Sequence, residues 1–350
     1  MVIRAGFVAI FALTTALLAV VLESAAIAAL PRFHVSERTE KPLIVCDRPY
    51  ESFVISYFNV IREGTRWRLW YTAYDKTYRD DRDSYLCYAE SADGVHWQKP
   101  SLGRVEFGGN RNNNILVTAS SIGGLHGQTV FLDPAAPAAE RYKMVYSSLV
   151  GSKWIVLSAR SADGIAWQFD KRPLLSFNSD TQTVCLADEG VYRLYVRMWT
   201  GGDYKGLRSV GYSESPTFGS FKPPVEIFAA DAADPRGMDF YNSAVTKLAP
   251  RRYVMFPSAF DHGKDVLLPH VAVSDDGRTF TRVGREPLLA LGRGFDSMGI
   301  YIGPGAIAGP RPRTWWIYYL GTNVGHDQTH PQKVTCNGGF GRFLLSVEGL

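Results

Sequence analysis

Ser91-Ala-Asp-Gly-Val-His-Trp97 is repeated almost letter for letter as Ser161-Ala-Asp-Gly-Ile-Ala-Trp167. Two looser copies follow, Gly211-Tyr-Ser-Glu-Ser-Pro-Thr-Phe218 and Val271-Ala-Val-Ser-Asp-Asp-Gly-Arg-Thr-Phe280. Asp-Gly suits a tight turn because glycine tolerates positive φ and aspartate bonds its own backbone, and the aromatic that follows can fold back onto a sheet. From Ser91 to Ser161, Ser213 and Ser274 the steps are 70, 52 and 61 residues, the size of a four-stranded propeller blade with variable loops. A second repeat interleaves with the first. Trp67–Tyr71, Tyr142–Tyr146, Tyr192–Val196, Tyr253–Phe256 and Trp315–Tyr319 are alternating aromatic strands, and each follows another apolar strand and a turn. Five such strands with four turns between them predict an all-β chain, a five-bladed β-propeller with four-stranded blades. The first strand of each blade then lines the central channel, and residues at its start face one mouth.

Around this core the bulk properties exclude more than they assign. A net charge of +4 over 350 residues, with no run of Lys or Arg, gives no reason to expect nucleic acid. Arg4 precedes an apolar stretch from Ala5 to Leu22, and Ser24-Ala-Ala-Ile-Ala-Ala29 offers a small-residue cleavage site. Residues 1–29 therefore read as a secretory signal, with an uncleaved membrane anchor as the competing reading, and 30–350 as the propeller. The protein is expected to be exported, periplasmic or extracellular, with a membrane tether if the segment stays. Cys46, Cys87, Cys185 and Cys336 lie far apart and lack zinc spacing, so either disulfides or buried thiols fit.

Further stretches carry a family resemblance: Tyr88–Pro100 with Glu106–Ile115, Val130–Pro134 with Glu140–Lys143, Asp180-Thr-Gln182, Tyr195-Val-Arg197, and Phe295-Asp-Ser-Met-Gly-Ile-Tyr301. Together they resemble the glycosyl-hydrolase-like five-bladed propellers of the arabinanase/levansucrase/invertase (furanosidase) superfamily. The resemblance implies a glycoside hydrolase or transglycosidase with an oligo- or polysaccharide substrate, no required cofactor and no catalytic metal. A structural calcium in the channel is compatible with it, although no spacing demands one. It also implies acidic residues at the starts of innermost strands, one acting as acid and one as base or nucleophile. In this chain the blade starts carry Glu51, the His126-Gly-Gln128 segment, Asp180, Asp239 and Asp296. Glu51, Asp180 and Asp239 form the expected catalytic set. Arg197, Tyr241, His126, Gln128, Asp296 and Tyr301 are the expected substrate contacts. Two other readings use the same mouth: a non-catalytic propeller that binds glycan or protein, which carboxylates locked by arginines would favour, and a sialidase, which needs three converging arginines.

Overall fold

The computed structural model describes residues 30–349; the expected signal or anchor lies outside them. The chain is all-β, with three short 3-10 turns as its helical elements among the described residues, and none of its helices is long and apolar enough to cross a membrane. Four discrete antiparallel sheets succeed one another along the chain. Each begins with the strand at its channel edge: Val54–Glu63, His126–Leu132, Val184–Asp188 and Thr246–Ala249. The fifth sheet departs from the expected plain blade. It is a nine-stranded composite in which Gly299–Ile302, Thr314–Thr322 and Gly339–Glu348 form a blade-like core. That core is joined through one parallel pair, Leu267 with Gly299, to a hairpin leaving the fourth sheet. On its outer edge Arg32–Ser36 pairs antiparallel with the last strand, Arg32 opposite Glu348, so the first described strand closes the ring on the last.

The repeated turn has a structural explanation. Ser91 Oγ accepts from Gly94 N at 2.9 Å, and Asp93 Oδ1 accepts from Val95 N and His96 N at 2.8 Å. The same bonds recur around Ser161/Asp163 and Ser274/Asp276. The third turn uses Ser215, whose Oγ accepts from Thr217 N at 3.2 Å, and not Ser213. The glycine of each full copy is left-handed, and that brings its backbone against the neighbouring sheet. A Cβ on Gly94 would meet Tyr318 and Trp67, one on Gly164 would fall 2.8 Å from Trp70, and one on Gly277 would fall 3.1 Å from the Tyr195 hydroxyl. Each turn thus docks on the aromatic strand of the preceding sheet, or of the last sheet in the case of Gly94. The two repeats stay in register because they are the two halves of one inter-sheet contact.

Around the channel the innermost strands are tied by side chains. Asn59 Nδ2 donates to Val130 O at 2.7 Å and its Oδ1 accepts from Val130 N at 2.9 Å. Gln128 donates to Tyr57 O at 2.6 Å and accepts from Thr72 Oγ1 at 2.5 Å. Gln182 donates to Phe58 O at 2.9 Å and to Gln128 O at 3.1 Å. This belt satisfies backbone groups that a curved ring of short strands leaves unpaired. It lies between two cavities, one at each end of the channel.

Candidate functional site

The cavity at the strand starts has a volume of about 340 Å³, the low end of the range for small-molecule sites. Its wall is largely aromatic: Tyr57, Tyr74, Tyr78, Tyr241 and Tyr301 with His126 and His326, and Asp81 is the carboxylate on it. The cavity at the opposite mouth is lined mainly by apolar groups such as Val60, Phe131 and Ile307, with Arg62 and Lys247 but no carboxylate or histidine among the described residues. The chemistry is therefore concentrated at the first mouth.

Two local irregularities aim side chains into it. A bulge between Ser56 and Phe58 places Tyr57 at φ 34°, and a second between His126 and Thr129 places Gly127 at φ 58°. A non-glycine residue in the left-handed region costs on the order of 1–3 kcal/mol and is held there by its surroundings. Gln128, which donates to the Tyr57 carbonyl, holds this one. As a result the Tyr57 hydroxyl lies 3.0 Å from His126 Nε2 and 3.3 Å from the Tyr241 hydroxyl.

His126 sits between two aspartates. Its Nδ1 is 3.0 Å from Asp81 Oδ2, a close ion pair without the alignment of a good hydrogen bond, and its Nε2 is 2.8 Å from the carbonyl oxygen of Asp180. Both ring nitrogens thus face acceptors, the arrangement of a doubly protonated imidazolium. Burial pulls the His126 pKa down, but the Asp81 carboxylate and then Asp180 outweigh it, and the net shift is upward from the ordinary value. His326 goes the other way. Burial, with Arg208 and Arg197 nearby, lowers it to about 4. It packs edge-on against Tyr241, ring centroids 4.6 Å apart, and its Nδ1 lies 3.4 Å from the Tyr301 hydroxyl. One cavity therefore holds two histidines whose environments push their pKa values apart, His126 upward and His326 downward, the separation that acid–base chemistry needs.

The His126 shift has a signed consequence. A folded pKa above the unfolded value contributes stability that is complete below about pH 6.5 and is lost as pH rises through the folded value. In a melting series, wild type minus His126→Gln should show a difference that shrinks upward from about pH 6.5. A pH-independent difference would contradict the charged pair.

The expected site residues divide into two groups. His126, Tyr241 and Tyr301 line the cavity. Arg197 and Asp180 stand at its rim as an ion pair of 2.8 Å, with the guanidinium 4.3 Å from the Tyr241 ring centroid and the carboxylate side chain 23% exposed. The other four do not line it. Glu51 ends the 3-10 turn Pro49–Glu51, which rolls its side chain inward. It is fully buried, accepting from Tyr71 Oη at 2.5 Å, Lys99 Nζ at 2.7 Å and two backbone amides. Gln128 is fully buried in the belt. Asp239 lies on the short strand Asp239–Phe240, paired with Ser258–Asp261 in the hairpin leaving the fourth sheet. It is held by Arg208 at 3.1 Å and faces His262 at 3.3 Å. Asp296 pairs with Arg38 and accepts from Tyr319 Oη at 3.0 Å, so it fastens the start of the described chain to the last sheet. Tyr57, Tyr74, Tyr78, Asp81 and His326 are among the wall residues that the sequence did not single out as site residues.

Beside Tyr241 the rim carries buried polar atoms without partners among the described residues: Arg197 Nε, Trp199 Nε1, Arg208 Nε and Asp239 Oδ1. The guanidinium carbon of Arg208 lies 5.2 Å from the Trp199 ring centroid and 5.4 Å from that of Tyr241. Two arginines are present here, not the three that a sialidase site requires. Among the described residues no group of three or more His, Cys, Asp or Glu is arranged to hold a metal ion. Cys46, Cys87, Cys185 and Cys336 are free thiols.

No family model and no curated sequence matches the chain. Solved structures do. An N-acetylgalactosamine deacetylase from F. plautii, in complex with blood group B trisaccharide, superposes with a TM-score of 0.61 at 16% identity, over 89% of this chain and 96% of that one. The β-1,2-mannobiose phosphorylase of Listeria innocua gives 0.59 at 12% identity over the same shares. The α-L-arabinofuranosidase of Podospora anserina, in complex with cellotriose, gives 0.57 at 12%, again over 89% and 96%. At these identities what is shared is the fold, a β-propeller carried across nearly the whole described chain.

Proposed function

We propose that the chain is a glycan-processing enzyme, a glycoside hydrolase or transglycosidase, working in the aromatic cavity at the strand starts. The observation that carries this reading is the pairing of His126 with Asp81 inside a wall of five tyrosines. Aromatic faces suit the C–H faces of sugar rings, and the hydroxyls of Tyr57, Tyr241 and Tyr301 supply the polar edge. In this scheme the His126 imidazolium, held protonated by Asp81, donates to the departing glycosidic oxygen directly or through the Tyr57 hydroxyl. Tyr57 suits a relay because burial raises its pKa well above the usual phenol range and keeps it protonated. Asp180, oriented by Arg197, is the carboxylate available at the rim to activate water or to attack the anomeric carbon. The solved neighbours support a saccharide ligand, since all three cited structures are complexes with one: a blood group trisaccharide, β-1,2-mannobiose and cellotriose.

A second reading is a non-catalytic glycan-binding propeller. It is favoured by a specific observation: Glu51, Asp180 and Asp239 are each fastened by a lysine or an arginine. A panel of aryl furanosides, aryl pyranosides and polysaccharides, assayed for hydrolysis and for equilibrium binding with the wild-type protein, separates the two. Turnover supports the enzyme. Saturable binding without turnover on any member would overturn it in favour of the binding protein.

A further inference from the structure

The connection between the last two strands, residues 323–338, supplies His326, Thr329 and Asn337 to the cavity wall. It is long for the loop of an antiparallel pair, a feature of loops that carry function. Its far end meets the segment that enters the first sheet. Ile44 and Val45 pair with Phe340 and Gly339, Cys336 N donates to Ser52 O at 3.1 Å, and Asn337 N donates to Phe53 O at 3.0 Å. Within this junction Cys336 Sγ lies 3.3 Å from the carbonyl oxygen of Cys46. Cys46 Sγ lies 3.7 Å from the carbonyl oxygen of Asn337, next to Cys336 in the chain. Each thiol thus rests on the other's stretch of backbone, and both are partly exposed. Cys87 and Cys185, by contrast, are fully buried in separate cores.

We infer that Cys46 and Cys336 are an oxidation site: they close into a disulfide that clamps the 323–338 connection, and with it His326, against the entry to the first sheet. Burial and the neighbouring Cys336 push the Cys46 thiol up. With a low-molecular-weight disulfide as oxidant, one of the two protein sulfurs, as its thiolate, attacks a sulfur of the reagent and expels a thiolate. The other protein sulfur, losing its proton, then displaces the second. One protein S–S bond forms, one S–S bond of the oxidant breaks, two thiols of the reagent are released, and two electrons pass from protein to oxidant. Cys46 and Cys336 lie near opposite ends of the described chain, so the bond closes a very long loop and constrains the unfolded state strongly.

The test is a peptide map of the full chain under non-reducing conditions after equilibration with oxidised and reduced glutathione. A Cys46–Cys336 cross-linked peptide is expected, with Cys87 and Cys185 alkylated once the protein is unfolded. A rise in Tm of about 5 °C or more is also expected. It should be reversed by reduction and absent in both Cys336→Ser and Cys46→Ala. Amide exchange in residues 323–338 should slow on oxidation. Recovery of both thiols in the alkylated form at every glutathione ratio, or a bond from either to another cysteine, overturns the assignment. A cross-link that forms without slowing exchange in 323–338 overturns the clamp. None of these readouts depends on turnover.

Discussion

Arg68→Ala is expected to destabilise the ring by about 3–5 kcal/mol, the cost of removing a large, fully engaged side chain from a core. Arg68 is 5% exposed, and its guanidinium carbon lies 5.2, 5.3 and 4.9 Å from the ring centroids of Trp70, Tyr88 and Tyr142. It donates to Tyr88 Oη at 2.9 Å, to Tyr142 Oη and to the carbonyl oxygen of Asp163 in the second repeated turn. That contact joins the first sheet to the second, and Gly164 sits directly above it. Alanine would leave a cavity and an unsatisfied carbonyl at the same seam. Lysine should rescue little, because the stack and the fork of donors need a planar group. Urea unfolding checks this: the midpoint should fall with the slope unchanged. A loss below about 1 kcal/mol would show that the repeated turn docks without its arginine.

Asp81→Asn is expected to lower turnover on the preferred glycan by about 10²- to 10⁴-fold, the usual range for general acid–base catalysis, with the fold retained and the stability of the His126 pair lost. Asparagine keeps the size of the side chain but removes the charge that favours imidazolium at His126. The remaining activity should shift toward acid pH, because His126 then needs a higher proton concentration to act as a donor. The decisive comparison is the pH profile of kcat/KM for wild type and variant, beside their melting curves. An unchanged profile would remove Asp81 and His126 from the chemistry and leave Asp180 as the group to examine.

The fold was legible because its signals are periodic. The Ser-x-Asp-Gly turn and the aromatic strand each recur, and their shared period reflects a contact repeated around the ring. The site was only partly legible, because a carboxylate beside a strand start does not announce its direction. At Glu51 one short 3-10 turn rolls the side chain inward to Lys99. At Asp239 an unforeseen hairpin strand sets the carboxylate against Arg208 and His262, and at Asp296 the partner, Arg38, lies near the other end of the described chain. Tyr57 was hidden for a different reason. Strict alternation along Ile55-Ser56-Tyr57-Phe58 is broken by a bulge that no local residue preference forces. Asp81 lies in the irregular link between Arg66–Tyr74 and Ser84–Ser91, where no period exists to read.

The pairing of Arg32–Ser36 with Gly339–Glu348 also bears on how the molecule is made. The strand synthesised first among those described waits for the one synthesised last, so translation must run past Glu348 before the circle can shut. Until then the first sheet lacks the Tyr318 and Arg342 against which Gly94 rests. Closure is a search across nearly all of the described residues, the slowest kind of contact to find. A nascent chain of this design stays open, and able to be threaded, until the strand that ends at Glu348 emerges.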